Sequence, residues 1–154
     1  MTEPQQAATF QIEKVYVKDL SLEIPHAPQV YAEQTQPQID VRIESGESRF
    51  QQDYYEVTLS ATIIARNGER TLFLVEAVQA GIFALRNIPE ADLGPLLGIA
   101  CPTVLFPYLR ETISDVVTRG GFPPLLLAPI SFEQLYLQRM QQQESGGPRI
   151  ETAS

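Results

Sequence analysis

The hydrophobic period of this chain changes once, near residue 86, and that change sets the order in which elements can be built. Before it, apolar residues recur at every second position over long stretches; after it, they recur at three- and four-residue spacings. The first is the period of a strand and the second that of an amphipathic helix. Strands grouped ahead of helices predict an α+β domain, because a parallel βαβ fold would alternate the two.

Four strands are predicted. In the first, from Phe10 to Ile24, the residues Phe10, Ile12, Tyr16, Leu20, Leu22 and Ile24 share one face, interrupted by Lys14 and Lys18. Gln11, Glu13, Asp19, Ser21 and Glu23 share the other, with Val15 and Val17 among them. Pro25 and Pro28 end this strand, since proline removes a ladder donor. Residues 25–37 read as a crossing loop. Ile39, Val41 and Ile43 mark a second strand, and Ser45-Gly46 supplies turn chemistry after it. Tyr55 to Ile63 alternate as a third. Asn67-Gly68 signals a hairpin, which needs positive φ. The fourth strand, Thr71 to Leu85, is apolar on both faces: Leu72, Leu74, Val78 and Ile82 on one, Phe73, Val75, Ala77 and Phe83 on the other. Such a strand is expected to lie under helices on one side and against another subunit on the other.

"PEADLGPLLG" predicts one or two helical turns starting at Pro89. From Val104, the residues Leu105, Tyr108, Leu109, Ile113, Val116 and Val117 follow helical spacing, with Pro107 expected in or near the first turn. Gly120-Gly121 ends this helix and Pro123-Pro124 prevents its resumption. After the apolar loop "LLLAPI", Ser131 and Gln134 have the spacing of a capping box, and Phe132, Leu135, Tyr136 and Met140 form a last helix. The expected division is a flexible tail over 1–9, one domain over 10–143 and a second flexible tail over 144–154.

The chain of 154 residues carries a formal net charge of -8, and 44% of it is hydrophobic. Enough apolar surface exists for a core. Excess negative charge argues against nucleic acid and against an anionic membrane surface, and permits a basic partner. The single cysteine, Cys101, rules out an intramolecular disulfide and fits a reducing compartment. "MTEPQQAATF" lacks the basic and apolar regions of a secretory signal, and no apolar run approaches the roughly 20 residues of a membrane span. A cytoplasmic protein without membrane insertion is expected.

The sequence carries no recognisable catalytic constellation. His26 has no second histidine or cysteine beside it with which to bind zinc. Cys101, before Pro102 at the edge of an apolar helix, reads as a buried structural thiol. No phosphate-binding loop, nucleophile elbow or dinucleotide fingerprint is present, and Glu56, Glu76 and Glu111 stand singly. No cofactor or metal is expected. What remains is surface: Val30 and Tyr31 in the crossing loop, and Phe122 and Leu125 to Leu127 after the helix. They either cap the core or line an apolar groove for an extended peptide.

Several blocks resemble one family. "FQIEKVYVKDLSLEIPHAP", "YEVTLSATIIA", "FLVEAVQAGIF" and "CPTVLFPYLRETISDVVTRGGFPPLLLAPISFEQLY" are similar, in this order and over roughly residues 10 to 140, to the bacterial protein-export chaperone SecB. The resemblance implies a cytoplasmic, non-enzymatic homotetramer built as a dimer of dimers. Each subunit would have a four-stranded antiparallel sheet with helices packed on one face. Such proteins bind unfolded precursors, keep them translocation-competent without ATP, and deliver them to the motor ATPase SecA for export through the Sec translocon. On this chain the resemblance assigns Asp19, Glu23, Leu74 and Glu76 to docking of the basic, zinc-bearing C-terminal tail of SecA. It assigns Val75, Ala77 and Gln79 to subunit contacts. Val30, Tyr31, Phe122, Leu125 and Leu127 become the expected client groove. One departure stands out: Thr35 occupies the position where the family usually has tryptophan, and the chain has none. Two rival readings compete with it: a SecB-like chaperone dedicated to a toxin–antitoxin pair, and a small-ligand enzyme or binding domain. The acidic residues argue against the first and the missing catalytic cluster against the second.

Overall fold

The structure, a computed structural model, describes residues 7–33 and 36–144. Its strands are β1 (Thr9–Glu23), β2 (Gln38–Gln51), β3 (Tyr54–Asn67) and β4 (Arg70–Arg86). They form one sheet in the order β1-β4-β3-β2, with every neighbouring pair antiparallel. A continuous helical stretch follows: α1 (Glu90–Pro95), a π-helical turn (Leu96–Ala100) and α2 (Cys101–Arg119). The last element is α3 (Phe132–Glu144). The α+β fold is therefore as expected, with the helices on one face. The expected tails lie mostly outside the described residues, and Thr9 already belongs to β1.

Helix α2 lies on the face made by the odd-numbered residues of β3 and β4. Leu105, Leu109, Ile113 and Val117 recur every four residues along it and are fully buried, as are Val57, Leu59, Ile63, Val75 and Phe83 beneath them. Burying each such side chain contributes about 1.5–3 kcal/mol. A Cβ at Gly81 would stand 2.9 Å from the Leu105 side chain, so the helix sits this close to β4 only because position 81 has none. Phe132 anchors α3 edge-on to Phe106, 5.9 Å between ring centres.

Four local expectations change. The helical stretch Glu90–Arg119 runs for 30 residues and contains a window of mean hydropathy 1.3, so by length and composition alone it resembles a membrane span. Its apolar stripe is nonetheless spent on the sheet. Pro107 lies well inside α2 rather than in its first turn, because the helix starts earlier, at Cys101. Ser45-Gly46 does not turn: both residues pair with β3, opposite Leu59 and Thr58, and the chain reverses beyond Gln51. The β3–β4 hairpin turns at Gly68-Glu69, one residue later than predicted, with Gly68 at φ 62° in the first central position.

The faces of β1 also change. Its register with β4 shifts between Ile12 and Lys14 and again between Val17 and Asp19. Each bulge reverses the alternation. Between them Val15 and Val17 turn to the helix side, opposite Gly81 and Gln79, while Tyr16 turns to the outer side, opposite Ala80. The two lysines that interrupted the apolar face lie at these bulges.

Candidate functional site

Two surfaces collect the predicted residues. The first is the outer face of the sheet, away from the helices. Asp19 pairs with Val78, Ser21 with Glu76 and Glu23 with Leu74. Directly opposed residues share a face, so Asp19, Glu23, Leu74 and Glu76 stand together. Asp19 and Glu23 are about 13 Å apart along β1, and Glu76 lies between them on the next strand. None of these three carboxylates has an ion-pair partner among the described residues. Glu56, on the same face, is different. It accepts hydrogen bonds from Lys18 Nζ at 2.8 Å and from the Tyr16 hydroxyl. These two bonds hold its carboxyl below the usual range. Tyr16 is pushed up to about 12 by burial and by its bond to Glu56.

The second surface is a cleft of about 530 Å³ at the β3–β4 hairpin end. One wall is the crossing segment, which passes from one edge of the sheet to the other. It forms a short 3-10 turn, Gln29–Ala32, after the cis peptide Ala27-Pro28. Val30 is buried beneath this turn and Tyr31 is half-exposed. The Tyr31 hydroxyl donates to the carbonyl of Gly120 at 2.6 Å. Its ring lies 5.5 Å from that of Phe122, which in turn lies 4.8 Å from Phe73. Such aromatic pairs add about 0.5–1.5 kcal/mol each beyond area burial.

The opposite wall begins where α2 stops. Gly121 N–H donates to Thr118 and Phe122 N–H to Val117, the paired bonds of a Schellman motif, with Gly121 at φ 87°. A side chain at 121 would be strained and would press on the Tyr31 ring. Pro123, Pro124 and Pro129 then keep the chain out of helix and ladder. In this irregular stretch Leu125 and Leu126 line the cleft, Leu126 being 76% exposed. Ile39 and Val41 on β2, also exposed, extend the apolar strip along an edge strand whose outer backbone has no partner among the described residues.

Among the expected groove residues, Val30, Tyr31, Phe122 and Leu125 line this cleft. Leu127 does not; it is buried in the core. Three consecutive leucines in irregular backbone carry no period from which to read which one faces out. Leu72 joins Phe73 in the cleft because β4 slips register between Thr71 and Phe73. Glu33 and Ile39 were also missed; Ile39 was legible as a strand residue, but not as an uncovered one. Thr35 lies outside the described residues.

The residues expected at subunit contacts lie inside the single chain. Val75, Ala77 and Gln79 point under α2 within a single chain, and at most 3% of any of them is exposed. Gln79 donates to the Tyr16 carbonyl at 3.2 Å and accepts from Thr112 Oγ1 of α2 at 3.0 Å. Their side chains are engaged inside the fold, between the sheet and α2. Cys101 is fully buried, and burial, with a smaller effect of Glu47, pushes its thiol up to about 12. It is an inert core residue at neutral pH. No group of His, Cys, Asp and Glu among the described residues could hold a metal ion.

Comparison with known proteins agrees with this geometry. Residues 3–143 match the family described as Preprotein translocase subunit SecB. A Protein-export protein SecB from Chromobacterium violaceum is 55% identical over 148 residues, covering 96% of this chain and 99% of its own length. One from Nitrosomonas eutropha is 55% identical over 144 residues, covering 92% and 90%. Among solved structures, the SecB-like chaperone of Mycobacterium tuberculosis in complex with a ChAD peptide from the HigA1 antitoxin shares the fold. Its TM-score is 0.66 at 19% identity, over 79% of this chain and 90% of that one.

Proposed function

The chain belongs to the SecB family, and from that premise we propose that its cleft is where unfolded precursors are held. As a member of that family it is a protein-export chaperone and not an enzyme. The observation that carries the reading is the open apolar cleft beside a strand edge that no described residue pairs. Tyr31, Phe122, Leu125, Leu126 and Ile39 offer apolar contact, and the outer backbone of β2 offers ladder bonds. Only an unfolded chain presents apolar side chains and free backbone together, so the geometry selects clients by their state rather than their sequence. Holding such a chain shifts its folding equilibrium by mass action, and no bond has to be broken.

The proposed partner on the outer face is SecA. Asp19, Glu23 and Glu76, without ion-pair partners among the described residues, would meet cationic groups of its basic tail, and Leu74 beside them would supply apolar contact. The protein would work in the cytoplasm as a homotetramer, a dimer of dimers. Several clefts on one assembly would raise affinity for a long client through effective concentration.

The test is refolding of a chemically denatured precursor. The wild-type chain should slow it, and the double variant Tyr31→Ser, Phe122→Ser should slow it much less. Unchanged kinetics would show that these rings only cap the core. A solution mass of 17.2 kDa, unaltered by unfolded chains, would overturn the assembly and the holding role together.

A further inference from the structure

We propose that Arg70 is a positioning residue of the cleft: paired with Glu33, it latches the crossing segment to the β3–β4 hairpin. The inference rests on reading the cleft as the client site. Between Glu23 and Gln38 the described chain joins no ladder, so side chains must hold it. Val30 and Tyr31 tie it to the core and to the end of α2. The tie to the hairpin is the ion pair of Arg70 Nη1 with Glu33 Oε1.

Three features make this pair more than a surface contact. Arg70 stands beside the hairpin turn and pairs with Asn67, so a rigid ladder fixes its backbone. Glu33 N–H donates to the Val30 carbonyl and closes the 3-10 turn, so its position is coupled to that of Tyr31 two residues earlier. The pair is also partly desolvated, with side chains 26% exposed for Glu33 and 38% for Arg70. Glu33 lines the cleft beside Leu72 and Ile39, and its Oε2 is buried without a hydrogen-bond partner among the described residues. A carboxylate so placed is tolerated because Arg70 compensates it; without the guanidinium it gains by swinging out to water. The crossing segment, and Tyr31 with it, would follow. Client affinity would then depend on a charge pair that the client need not touch.

The experiment compares wild type with Arg70→Glu, Glu33→Arg and the swapped double variant. The first readout is hydrogen exchange at the amides of Val30, Tyr31 and Glu33, without client. The second is affinity for reduced, carboxymethylated α-lactalbumin, a permanently unfolded chain. Each single variant should speed exchange about tenfold and weaken binding about fivefold, and the swap should restore both to within about twofold, as coupled residues do. Amides of α2 serve as the control for global folding. Arg70→Lys, which keeps the charge, should lie between wild type and Arg70→Glu. Unchanged exchange in the single variants, or a swap that fails to restore it, overturns the latch. Faster exchange with unchanged affinity keeps the latch and overturns the assignment of the cleft to clients.

Discussion

The acidic face and the cleft lie on one small molecule but are held by different means. Asp19, Glu23 and Glu76 project from adjacent strands whose backbone ladders fix them residue by residue. The cleft is walled by two segments outside any ladder, positioned by a tilted ring pair, one tyrosine hydroxyl, a glycine in the left-handed region and an ion pair. A ladder resists single substitutions because each residue is held by its neighbours. A wall of few contacts yields when one is lost, and it can also adjust to clients of different shape.

Both regions rest on α2, and removing that support should erase the difference between them. Leu109→Ala, at a fully buried position, should cost about 2–5 kcal/mol of stability. Urea unfolding would measure it, and client holding and tail binding should fall together. Loss of only one activity would mean that the two regions do not share this support.

Gly121→Val should separate them in one direction. The left-handed backbone at φ 87° disfavours a β-branched residue by about 1–2 kcal/mol. The strain falls where the second wall leaves α2, against the Tyr31 ring. Client affinity should drop while binding of the basic SecA tail persists, both measured by calorimetry. The converse is Asp19→Lys with Glu23→Lys. It should weaken tail binding about tenfold, roughly 1.4 kcal/mol, and leave client affinity and the urea midpoint nearly unchanged. Equal tail affinity for the variant would remove these residues from the docking surface.

The same contrast explains what could be read in the sequence. Period 2 placed Asp19 and Glu23 on one face of β1 because a ladder obeys that period wherever its register holds, whereas Leu74 and Glu76 joined them only through the family resemblance and the observed register. It misassigned Val15, Tyr16 and Val17, because a bulge slips the register and leaves only a lysine in an apolar row as its trace. Ser45-Gly46 looked like a turn, yet local preference yields when both neighbours can pair with β3. In the cleft, the glycines and prolines announced where regular structure stops but not where side chains go next. Leu126 and Leu127 could therefore not be told apart, and the Arg70–Glu33 pair, 37 residues apart, left no local pattern at all.

The smallest expected effect tests whether the acidic face is as selective as it looks. Glu56 shares that face but is committed inward, to Tyr16 and Lys18. Those bonds favour its ionised form, so its carboxyl lies below the ordinary value of 4.5. A group depressed in the folded state stabilises fully above its unfolded pKa, and that contribution disappears as pH falls through the folded value. Tyr16 acts in the opposite sense. Raised from 10.0 to about 12, it stabilises below pH 10 and loses that contribution as pH climbs toward 12. Glu56→Gln should therefore be less stable than wild type at neutral pH, with the gap closing as acid protonates Glu56 in the wild-type chain. Urea midpoints at a series of pH values would follow it. A gap independent of pH would mean that Glu56 is not committed to Tyr16 and Lys18. The docking surface would then extend to Glu56 along the outer face instead of ending near Asp19.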